Sequence, residues 1–350
     1  TNHDAIKWLL KNPHVLDSFH TLVVDESTAF KNRTSQRSKA LKKLAPSFFY
    51  RVAMTGTPNP NTVLDLWHQL YVLDDGERLG SRFFSFRQAV CTPRFNGFAN
   101  EWVDKDSAQE TVASLIFDIN KRFSLEECID MPEHLIHDYY VDLPSKVMKM
   151  YEQFRRDSML ETEDGTVRPV RAGARVRKLL QLCTGAVYDE EGKAVLFHTD
   201  RYDMVADLVA QRAHSLVAFN WRHERENLEA LFDKRGITYA VIDGTVGAED
   251  RTEAVKRFQN GELQCIIAHP QSAGHGLTLT RATSTIWCSP TYNAEHYTQF
   301  NRRIYRAGQT QKTETIRIAA KDTWETDVYD KLAGKTTSMA ELLGLLKQLD

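Results

Sequence analysis

Two adjacent carboxylates follow an apolar segment near the start of this 350-residue sequence. The stretch "TLVVDESTAFKN", residues 21–32, is predicted to be a buried strand that ends in Asp25 and Glu26. Such a pair costs free energy unless water, a basic partner or a metal ion meets it. In parallel sheets, ligands bind at the carboxyl ends of strands, where an aspartate can hold Mg²⁺ and a glutamate can orient water. Taken alone, the pair is more typical of an ordinary loop at a strand end.

A second polar strand end follows in "MTGTPNPN", residues 54–61. Thr55 and Thr57 offer two hydroxyls, and Gly56 permits a tight backbone turn between them. By itself this pattern is typical of a simple turn. Two polar strand ends next to each other in one sheet, however, favour a functional site.

A third cluster is basic. The stretch "YTQFNRRIYRAGQT", residues 297–310, is predicted to be a helix that runs into a glycine turn. Gln299, Arg303 and Arg306 are spaced i, i+4 and i+7, which predicts one stripe, whereas Arg302 lies about 100° away. Two guanidinium groups on one face suit a polyphosphate. A solvated basic face is an equally good interpretation of this stretch alone.

A glycine-containing loop follows another predicted strand, in "HPQSAGHGLTLT", residues 269–280. Gly274 and Gly276 allow close approach to the backbone, and Thr278 offers a hydroxyl. The pattern is not a dinucleotide-binding fingerprint, because the third glycine and the following helix are absent. His275 is more typical of a loop histidine than of a ligand.

Alternating elements predict the scaffold for these residues. Apolar strands such as "SLVAF", "ITYAVID" and "LQCIIAHP" alternate with helical segments, and Gly236 and Gly261 follow two of the helices as expected for left-handed caps. Residues 62–130 lose strand character and are predicted to be mostly helical, with a boundary at Pro132. The predicted fold class is therefore α/β, in two lobes joined by helical material.

Composition narrows the functional class. The net charge of −2 excludes a generally basic nucleic-acid coat, so any nucleic-acid contact must be a local patch. The five cysteines are widely spaced and include no C-x-x-C pair, which indicates neither a zinc site nor a disulfide framework.

Apolar runs fall short of the roughly 20 residues of a membrane span, and no signal peptide is visible. An intracellular, reducing setting is expected, and Thr1 in place of Met suggests a piece of a longer protein.

The order of motifs resembles that of Swi/Snf-type DNA-dependent ATPases, which are helicase-like translocases of superfamily two. "VVDEST" and "MTGTPNPN" resemble motifs II and III of that family. "VIDGTVGAEDRTEAVKRFQNG", "SAGHGLTLTRATSTIWCSPTYN" and "QFNRRIYRAGQ" resemble its second-lobe motifs, up to motifs V and VI. The R-x-G-Q ending separates the chain from DEAD-box RNA helicases. The compact insertions are more similar to a viral or bacterial member than to a chromatin remodeller.

The resemblance implies tandem RecA-like lobes with helical insertions. Residues 1–80 would be the carboxyl-terminal half of lobe one, residues 81–132 a helical insertion, and residues 133–350 lobe two, with a helical protrusion at about 144–190. The whole protein would be an ATP-dependent translocase on double-stranded or branched DNA, with ATP and Mg²⁺ as cofactors. A monomer without membrane contact is expected, in the cytoplasm or nucleoid of a bacterial host or in a eukaryotic nucleus.

The resemblance also implies roles for individual residues. Asp25 would hold Mg²⁺ through water, and Glu26 would activate the attacking water. Arg303 and Arg306 would be arginine fingers that reach across the cleft from lobe two. The coupling of nucleotide to DNA would run through Thr55, Gly56 and Thr57. Further nucleotide contacts would come from Gly274, Gln299 and Gly308, and nucleic-acid contacts from Asn2, Gly244, Gly276 and Thr278.

Two departures from the family pattern stand out. The box reads D-E-S-T in place of D-E-A-H or D-E-G-H, so the histidine that often bridges to motif III is missing. The phosphate loop is also missing, because the stretch Gly334, Lys335 and Thr336 follows a predicted helix, and Tyr329 stands where its first glycine is required. The true loop is expected before residue 1, and the chain alone is expected to be inactive.

Two other functions fit the same motifs. An annealing or fork-remodelling helicase would share all of them, and only strand-release assays would separate it from a translocase. A DNA-binding module that clasps DNA without turnover would need no phosphate loop at all.

Overall fold

The computed structural model describes residues 1–95, 100–123, 125–163, 169–273 and 276–349. It divides into two compact units, unit 1 (Thr1–Arg122 with Ala333–Asp350) and unit 2 (Phe123–Leu332). We expected the carboxyl-terminal segment in lobe two, but it groups with unit 1. Contacts within that unit explain the difference, since the Gln109 amide donates to Ser338 Oγ at 2.6 Å and Lys335 Nζ donates to Asn61 Oδ1 at 3.1 Å. The division into RecA-like lobes at residues 80 and 132 stays a prediction.

Unit 1 is built on a short parallel pair of strands with helices beside it. Its elements up to residue 116 are α1 (Ile6–Lys11), β1 (Thr21–Val24), α2 (Gln36–Leu44), β2 (Tyr50–Ala53), α3 (Asp65–Asp74), α4 (Phe83–Val90), β3 (Cys91–Phe95), β4 (Asn100–Asp104) and α5 (Ala108–Ile116). Strands β1 and β2 run parallel, with Val24 opposite Ala53. Ser35 caps α2 by accepting from the backbone of Ser38. The sequence predicted these two strands and the helix between them.

The insertion between residues 81 and 132 differs from the expected helical segment. Helices α4 and α5 lie in it, but β3 and β4 form an antiparallel hairpin between them. Pro93 lies within β3, and a proline in that position is incompatible with a helix interior. The insertion packs on α3 through a core that includes Val63, Trp67, Phe86 and Val112.

Unit 2 is a six-stranded parallel sheet covered by helices. Its elements are α6 (Leu125–Cys128), β5 (His134–Val141), α7 (Ser145–Glu163), α8 (Pro169–Cys183), β6 (Ala186–Tyr188), β7 (Ala194–Leu196), α9 (Asp200–Ala210), β8 (Ser215–Ala218), α10 (Arg222–Arg235), β9 (Tyr239–Ile242), α11 (Ala248–Asn260), β10 (Cys265–Ala268), α12 (Pro270–Ala273), β11 (Ser284–Trp287), α13 (Ala294–Asn301), β12 (Thr313–Ala320) and α14 (Trp324–Leu349), which continues into unit 1. The strand order is β5-β12-β11-β8-β10-β9. The α/β prediction is therefore confirmed.

Burial explains why these strands read as continuous apolar runs. All four residues of β8, β10 and β11 are buried, as expected for central strands with helices on both faces. One core cluster includes Val217, Ile267 and Ile286, and the other includes Leu216 and Ile266, so successive residues point to opposite faces. Within the described ranges, no helix is both long and apolar enough to cross a bilayer.

Candidate functional site

The two polar strand ends of unit 1 lie side by side. The backbone N–H of Met54 donates to the carbonyl of Val24 at 2.9 Å, which extends the β1–β2 ladder past the last strand residues. The N–H of Ser27 then donates to the carbonyl of Met54 at 3.0 Å. These bonds hold the Asp25–Glu26 turn against the loop that begins at Thr55. The sequence-based expectation that the two loops are neighbours is met by this geometry.

The acidic pair itself has unusual backbone geometry. Glu26 adopts the left-handed conformation, with φ of 48° and ψ of 52°, which few non-glycine residues do. Asp25 is exposed, and its Oδ1 accepts from the N–H of Glu26 at 2.9 Å. The ring of His3 hydrogen bonds to the carbonyl of Asp25 at 2.8 Å. Backbone strain of this kind clusters at functional sites, and the surrounding structure must hold it in place.

Thr28 connects the acidic box to the second loop, and the sequence did not reveal it. Its buried hydroxyl hydrogen bonds to the hydroxyl of Thr55 at 2.7 Å and donates to the carbonyl of Thr57 at 3.2 Å. The Thr55 hydroxyl also accepts from the N–H of Thr57 at 3.1 Å. The last residue of the D-E-S-T box, at the position of the missing histidine, therefore bridges to the second loop.

Ser27 anchors the same box to α3. Its buried hydroxyl donates to the side-chain Oε1 of Gln69 at 2.6 Å. The Gln69 amide in turn donates to the carbonyl of Pro58 at 2.7 Å. Serine in place of the usual small apolar residue thus makes a second link between the acidic box and the loop after β2. Neither Ser27 nor Gln69 was predicted as a site residue, because they lie 42 positions apart in the sequence.

The donor set fits a hydrated magnesium ion better than a protein-caged metal. In the described parts of the chain, no three His, Cys, Asp or Glu side chains come together as a metal cluster. Magnesium keeps most of its waters and is usually bound by one or two carboxylates together with substrate phosphates. The exposed carboxylate of Asp25 at the end of a parallel strand meets that requirement.

The arginines of unit 2 come together, but not as a helical stripe. Helix α13 ends at Asn301, so Arg303 and Arg306 lie in the turns after it, and the predicted i, i+4, i+7 arrangement is wrong. The two guanidinium groups nevertheless converge, since Nη1 of each donates to the carbonyl of Leu277, at 3.2 Å and 2.9 Å. The Arg303 Nε donates to the carbonyl of Gln299 at 2.9 Å. Arg302 is exposed and caps the helix.

Gln309 ties the arginine turns to the preceding loop. Its buried amide donates to the carbonyls of Thr280, Ala282 and Ile304 at 3.0, 3.2 and 3.1 Å. Gly308 immediately before it has φ of 93°, which a residue with a side chain adopts only under strain. The R-x-G-Q ending therefore shapes the turn that carries Arg306, and Gln309 is a supporting residue of this turn that our predicted set left out.

The other predicted residues have more modest surroundings. Gln299 is buried, whereas Gly244, Gly276 and Thr278 are exposed in loops of unit 2. In unit 1, the Asn2 side chain caps a short 3-10 turn by accepting from the N–H of Ala5 at 3.1 Å. The predicted nucleotide contact Gly274 and the neighbouring His275 lie outside the described residues.

An ion pair at the end of β9 lies beside the predicted nucleic-acid contact Gly244. Asp243 accepts from Arg225 Nη1 at 2.5 Å and from both the N–H and the hydroxyl of Thr245, at 2.8 and 2.6 Å. Burial opposes ionisation of Asp243, but the bonds from Thr245 and Arg225 outweigh it and lower the pKa of the carboxyl. The resulting fixed carboxylate holds the "VIDGTVG" loop in one conformation.

A buried polar cluster supports the carboxyl end of β8. Arg201 forms a fully buried ion pair with Glu325 and also donates to the carbonyl of Cys288 at 2.6 Å. Glu224 accepts from the N–H groups of Asn220 and Trp221, and burial raises its pKa to about 7. These groups reach no loop of the predicted site, so we interpret them as internal support for unit 2.

Comparison with protein families divides the chain in the same order as its motifs. The SNF2-related domain matches residues 5–184, which is about half of the chain. The helicase conserved C-terminal domain matches residues 200–308. The first match contains the acidic box and the loop after β2, and the second contains Arg303, Arg306 and the glycine turn.

Similar proteins come from phages, bacteria and animals. The chain is 27% identical to protein p41 of Acyrthosiphon pisum secondary endosymbiont phage 1, over 99% of this chain and 77% of that protein. It is 25% identical to an ATP-dependent helicase of Mycoplasma pneumoniae and 24% identical to the chromodomain-helicase-DNA-binding protein 1-like of Mus musculus, in each case over 93% of this chain. It covers 31% and 37% of those two relatives, respectively.

Among solved structures, the SWI2/SNF2 ATPase core of Sulfolobus solfataricus in complex with double-stranded DNA is 21% identical, with a TM-score of 0.48 over 98% of this chain and 73% of that one. The C-terminal part of the Fun30 ATPase domain is 15% identical, with a TM-score of 0.46 over 62% of this chain. The match of the SNF2-related domain to half of the residues, followed by the helicase C-terminal domain, is decisive. The chain belongs to the SNF2-related family of helicase-like, DNA-dependent ATPases.

Proposed function

We propose that this chain carries the water-activating and arginine-bearing parts of an ATP-driven motor that translocates on double-stranded DNA. The single observation that carries the proposal is the bond between the acidic box and the second loop, made by the Thr28 hydroxyl to Thr55 and Thr57. A motor must convert a change at the nucleotide into a change along its track. A direct bond between the hydrolytic turn and a neighbouring loop provides such a connection.

Within this proposal the acidic residues divide the chemistry between them. Asp25, exposed at the strand end, would hold Mg²⁺ through a water ligand, and the bound ion would neutralise charge on the phosphates. Glu26 would orient and deprotonate the attacking water. Its left-handed backbone sets the direction in which the side chain leaves the turn. Thr28 and Ser27 position this turn and have no contact with the reacting atoms.

Arg303 and Arg306 would stabilise charge on the transferring phosphoryl group. The planar guanidinium has five N–H donors, so the bond that Arg306 makes to the Leu277 carbonyl leaves others for phosphate oxygens. Their shared carbonyl belongs to the loop that begins at Gly276, where we propose contacts to the DNA backbone. In this way the phosphate-sensing arginines and the DNA-contacting loop would move together.

We also propose that the phosphate loop is supplied by polypeptide outside these 350 residues. The "GKT" stretch at 334–336 lies within helix α14 and cannot form such a loop. One face of the β1–β2 pair is exposed to solvent. On this face Val23 lies opposite Val52, and the two side chains are 54% and 44% exposed. Parallel strands are normally covered on both faces, so this surface supports the addition of further α/β structure.

ATP hydrolysis with and without duplex DNA tests the proposal. The 350-residue chain alone should hydrolyse ATP barely above background, because the groups that cradle the β- and γ-phosphates are missing. In a longer polypeptide that supplies the loop, duplex DNA should stimulate turnover, and Glu26→Gln should abolish turnover while leaving ATP binding intact. Strong DNA-stimulated hydrolysis by the 350-residue chain would contradict the proposed external loop. Full turnover with Glu26→Gln would contradict the proposed hydrolytic site.

A further inference from the structure

A continuous series of cationic and aromatic side chains crosses unit 1, apart from the proposed ATP site. Lys42 lies 3.8 Å from the Tyr71 ring, and ring contacts of 5.2 and 5.5 Å join Tyr71 to Trp67 and Trp67 to Phe83. The part of the series beyond Trp67 consists of alternating arginines and aromatic rings. We name this part the arginine–aromatic row and define it as Phe83, Arg33, Phe84, Arg87, Trp102 and Phe95.

Contacts inside the row are close. The Arg33 guanidinium lies 4.4 Å from the Phe83 ring centre and 5.0 Å from that of Phe84. The Arg87 guanidinium lies 5.0 Å from Phe84 and 3.9 Å from Trp102. Cation–π contacts are favourable within about 6 Å of a ring centre, so three rings and two cations are held in a defined order.

The hairpin extends the row to Phe95. In the β3–β4 pair, Pro93 lies opposite Trp102 and Phe95 lies opposite Asn100. Side chains of opposite residues share a face, and the face alternates along a strand, so Phe95 projects on the same side as Trp102. Phe95 is 68% exposed and Phe84 is 56% exposed, whereas Trp102 and Phe83 are partly buried against the core of the insertion. Trp102 and Phe83 therefore anchor the row on the core, and Phe84 and Phe95 are the two rings that face solvent.

The two arginines of the row have no acidic partner among the described residues, although Glu101 and Asp104 lie near Trp102 in β4. In the described part of the chain, neither Arg33 nor Arg87 forms an ion pair with a carboxylate, although many other arginines do. The segments that carry them, residues 31–44 and 81–95, contain no Asp or Glu. The first segment is rich in basic residues, namely Lys31, Arg33, Arg37, Lys39, Lys42 and Lys43, of which Arg37 forms an ion pair with Asp4 at 3.3 Å. A chain with a net charge of −2 thus concentrates positive charge beside exposed aromatic rings.

We propose that the arginine–aromatic row binds single-stranded nucleic acid. Unpaired bases stack on exposed aromatic rings, while nearby arginines contact the phosphates. Intact duplex offers its phosphates to the arginines but keeps its bases stacked on each other, so the two exposed rings would gain little from it. The row shares no residue with those proposed for hydrolysis and duplex contact, and would hold a strand that has been displaced or is not yet paired.

Fluorescence anisotropy tests this proposal on the 350-residue chain. The probes are a labelled oligothymidylate of about 16 nucleotides and a duplex of the same length. Phe84→Ala combined with Phe95→Ala should weaken oligothymidylate binding about tenfold or more, because each lost ring removes one stacking surface for a base. Phe49→Ala is the matched control, since Phe49 is an exposed ring of unit 1 outside the row and its loss should change nothing.

A second variant tests the charge of the row. Arg33→Gln should also weaken binding and should reduce the dependence of affinity on salt, because one phosphate contact is lost. Unchanged oligothymidylate affinity in the double phenylalanine variant would overturn the proposal. An equal loss of duplex affinity in that variant would also overturn it, because the rings would then serve both forms alike. Loss confined to the single strand, with the Phe49 control unchanged, is the supporting result.

Discussion

At the residue scale, the hydrolytic turn is defined by the backbone of Glu26 and the hydroxyl of Thr28. Glu26 holds a left-handed conformation that costs of order 1–3 kcal/mol, and Thr28 fixes the following 3-10 turn to the second loop. The two residues lie in one short stretch, yet we propose contact with the substrate only for the carboxylate. The threonine acts through Thr55 and Thr57, so the two should respond differently to substitution.

Thr28→Val should therefore lower stability and weaken the link between the two loops. The substitution keeps the shape of the side chain but leaves the Thr55 hydroxyl without this partner in a site where Thr28 is fully buried. We expect the free energy of unfolding to fall by about 1–3 kcal/mol in urea titrations. Thr111→Val is the matched control, because that hydroxyl is exposed and bonds only within its own helix. Equal effects of both changes would rule out a special role for Thr28.

The second residue-scale prediction concerns Arg306, in a polypeptide that also supplies the phosphate loop. Arg306→Ala should reduce DNA-stimulated ATP turnover by roughly 10³–10⁵ if it acts as an arginine finger, while duplex binding changes little. Arg306→Lys should restore little, because a point charge cannot reproduce the planar fork. The measurement is the ATPase rate with and without duplex DNA.

Arg302→Ala is the control for that experiment. Arg302 is adjacent in sequence but exposed, and neither of the contacts to the Leu277 carbonyl involves it. Its loss should be mild. If Arg302→Ala were inactive and Arg306→Ala active, the roles that we propose for the two arginines would have to be exchanged.

At the element scale, helix α3 makes unit 1 sensitive to acid. Burial is the largest cause that lowers the pKa of His68 to about 4 from an ordinary 6.5, and the charges of Lys42 and Arg33 act in the same direction. The unfolded chain takes up this proton as pH falls below 6.5, whereas the folded chain resists it until about pH 4. The contribution of His68 to the free energy of unfolding should therefore be fully present above pH 6.5. It should decline as the pH falls from 6.5 to about 4.

The expected loss from His68 alone is about 2 kcal/mol at pH 5 relative to neutral pH. Urea titrations of the parent and of His68→Leu at both pH values measure it, and the difference between the two proteins removes the contribution of all other groups. The variant should lose less stability on acidification. His14→Leu, which removes an exposed imidazole, is the matched control variant. Identical pH dependence in all three proteins would contradict the assignment to His68.

At the scale of the whole molecule, the net charge of −2 limits how tightly the chain can hold duplex DNA. Contacts proposed for the loops at Gly244, Gly276 and Thr278 go to phosphates, which carry no sequence information. Duplex affinity should therefore be weak, independent of base sequence, and lower by about tenfold or more between roughly 50 and 200 mM salt. Anisotropy with two duplexes of unrelated sequence measures this. Salt-insensitive binding, or binding to one duplex only, would argue against phosphate contacts.

The sequence by itself determined the fold class and the order of the functional motifs. Apolar runs such as "SLVAF" and "LQCIIAHP" indicate buried parallel strands, because a strand buried on both faces tolerates few polar residues. In the structure these runs form the central strands β8 and β10. Asp25 and Thr55 could be expected side by side for a similar reason, since the carboxyl ends of neighbouring parallel strands lie at one edge. These features depend on periodicity and chain order, which a sequence contains directly.

Only the tertiary structure decided how the side chains meet. Helical periodicity predicted that Arg303 and Arg306 share a face, but the helix ends at Asn301, and the two converge through the Leu277 carbonyl of a distant loop. The Thr28 bridge and the arginine–aromatic row likewise join residues from separate elements. The residue type alone does not tell whether a hydroxyl or a guanidinium faces solvent or a partner in the folded chain. Its role is therefore set by long-range packing, and no local pattern in the chain encodes that packing.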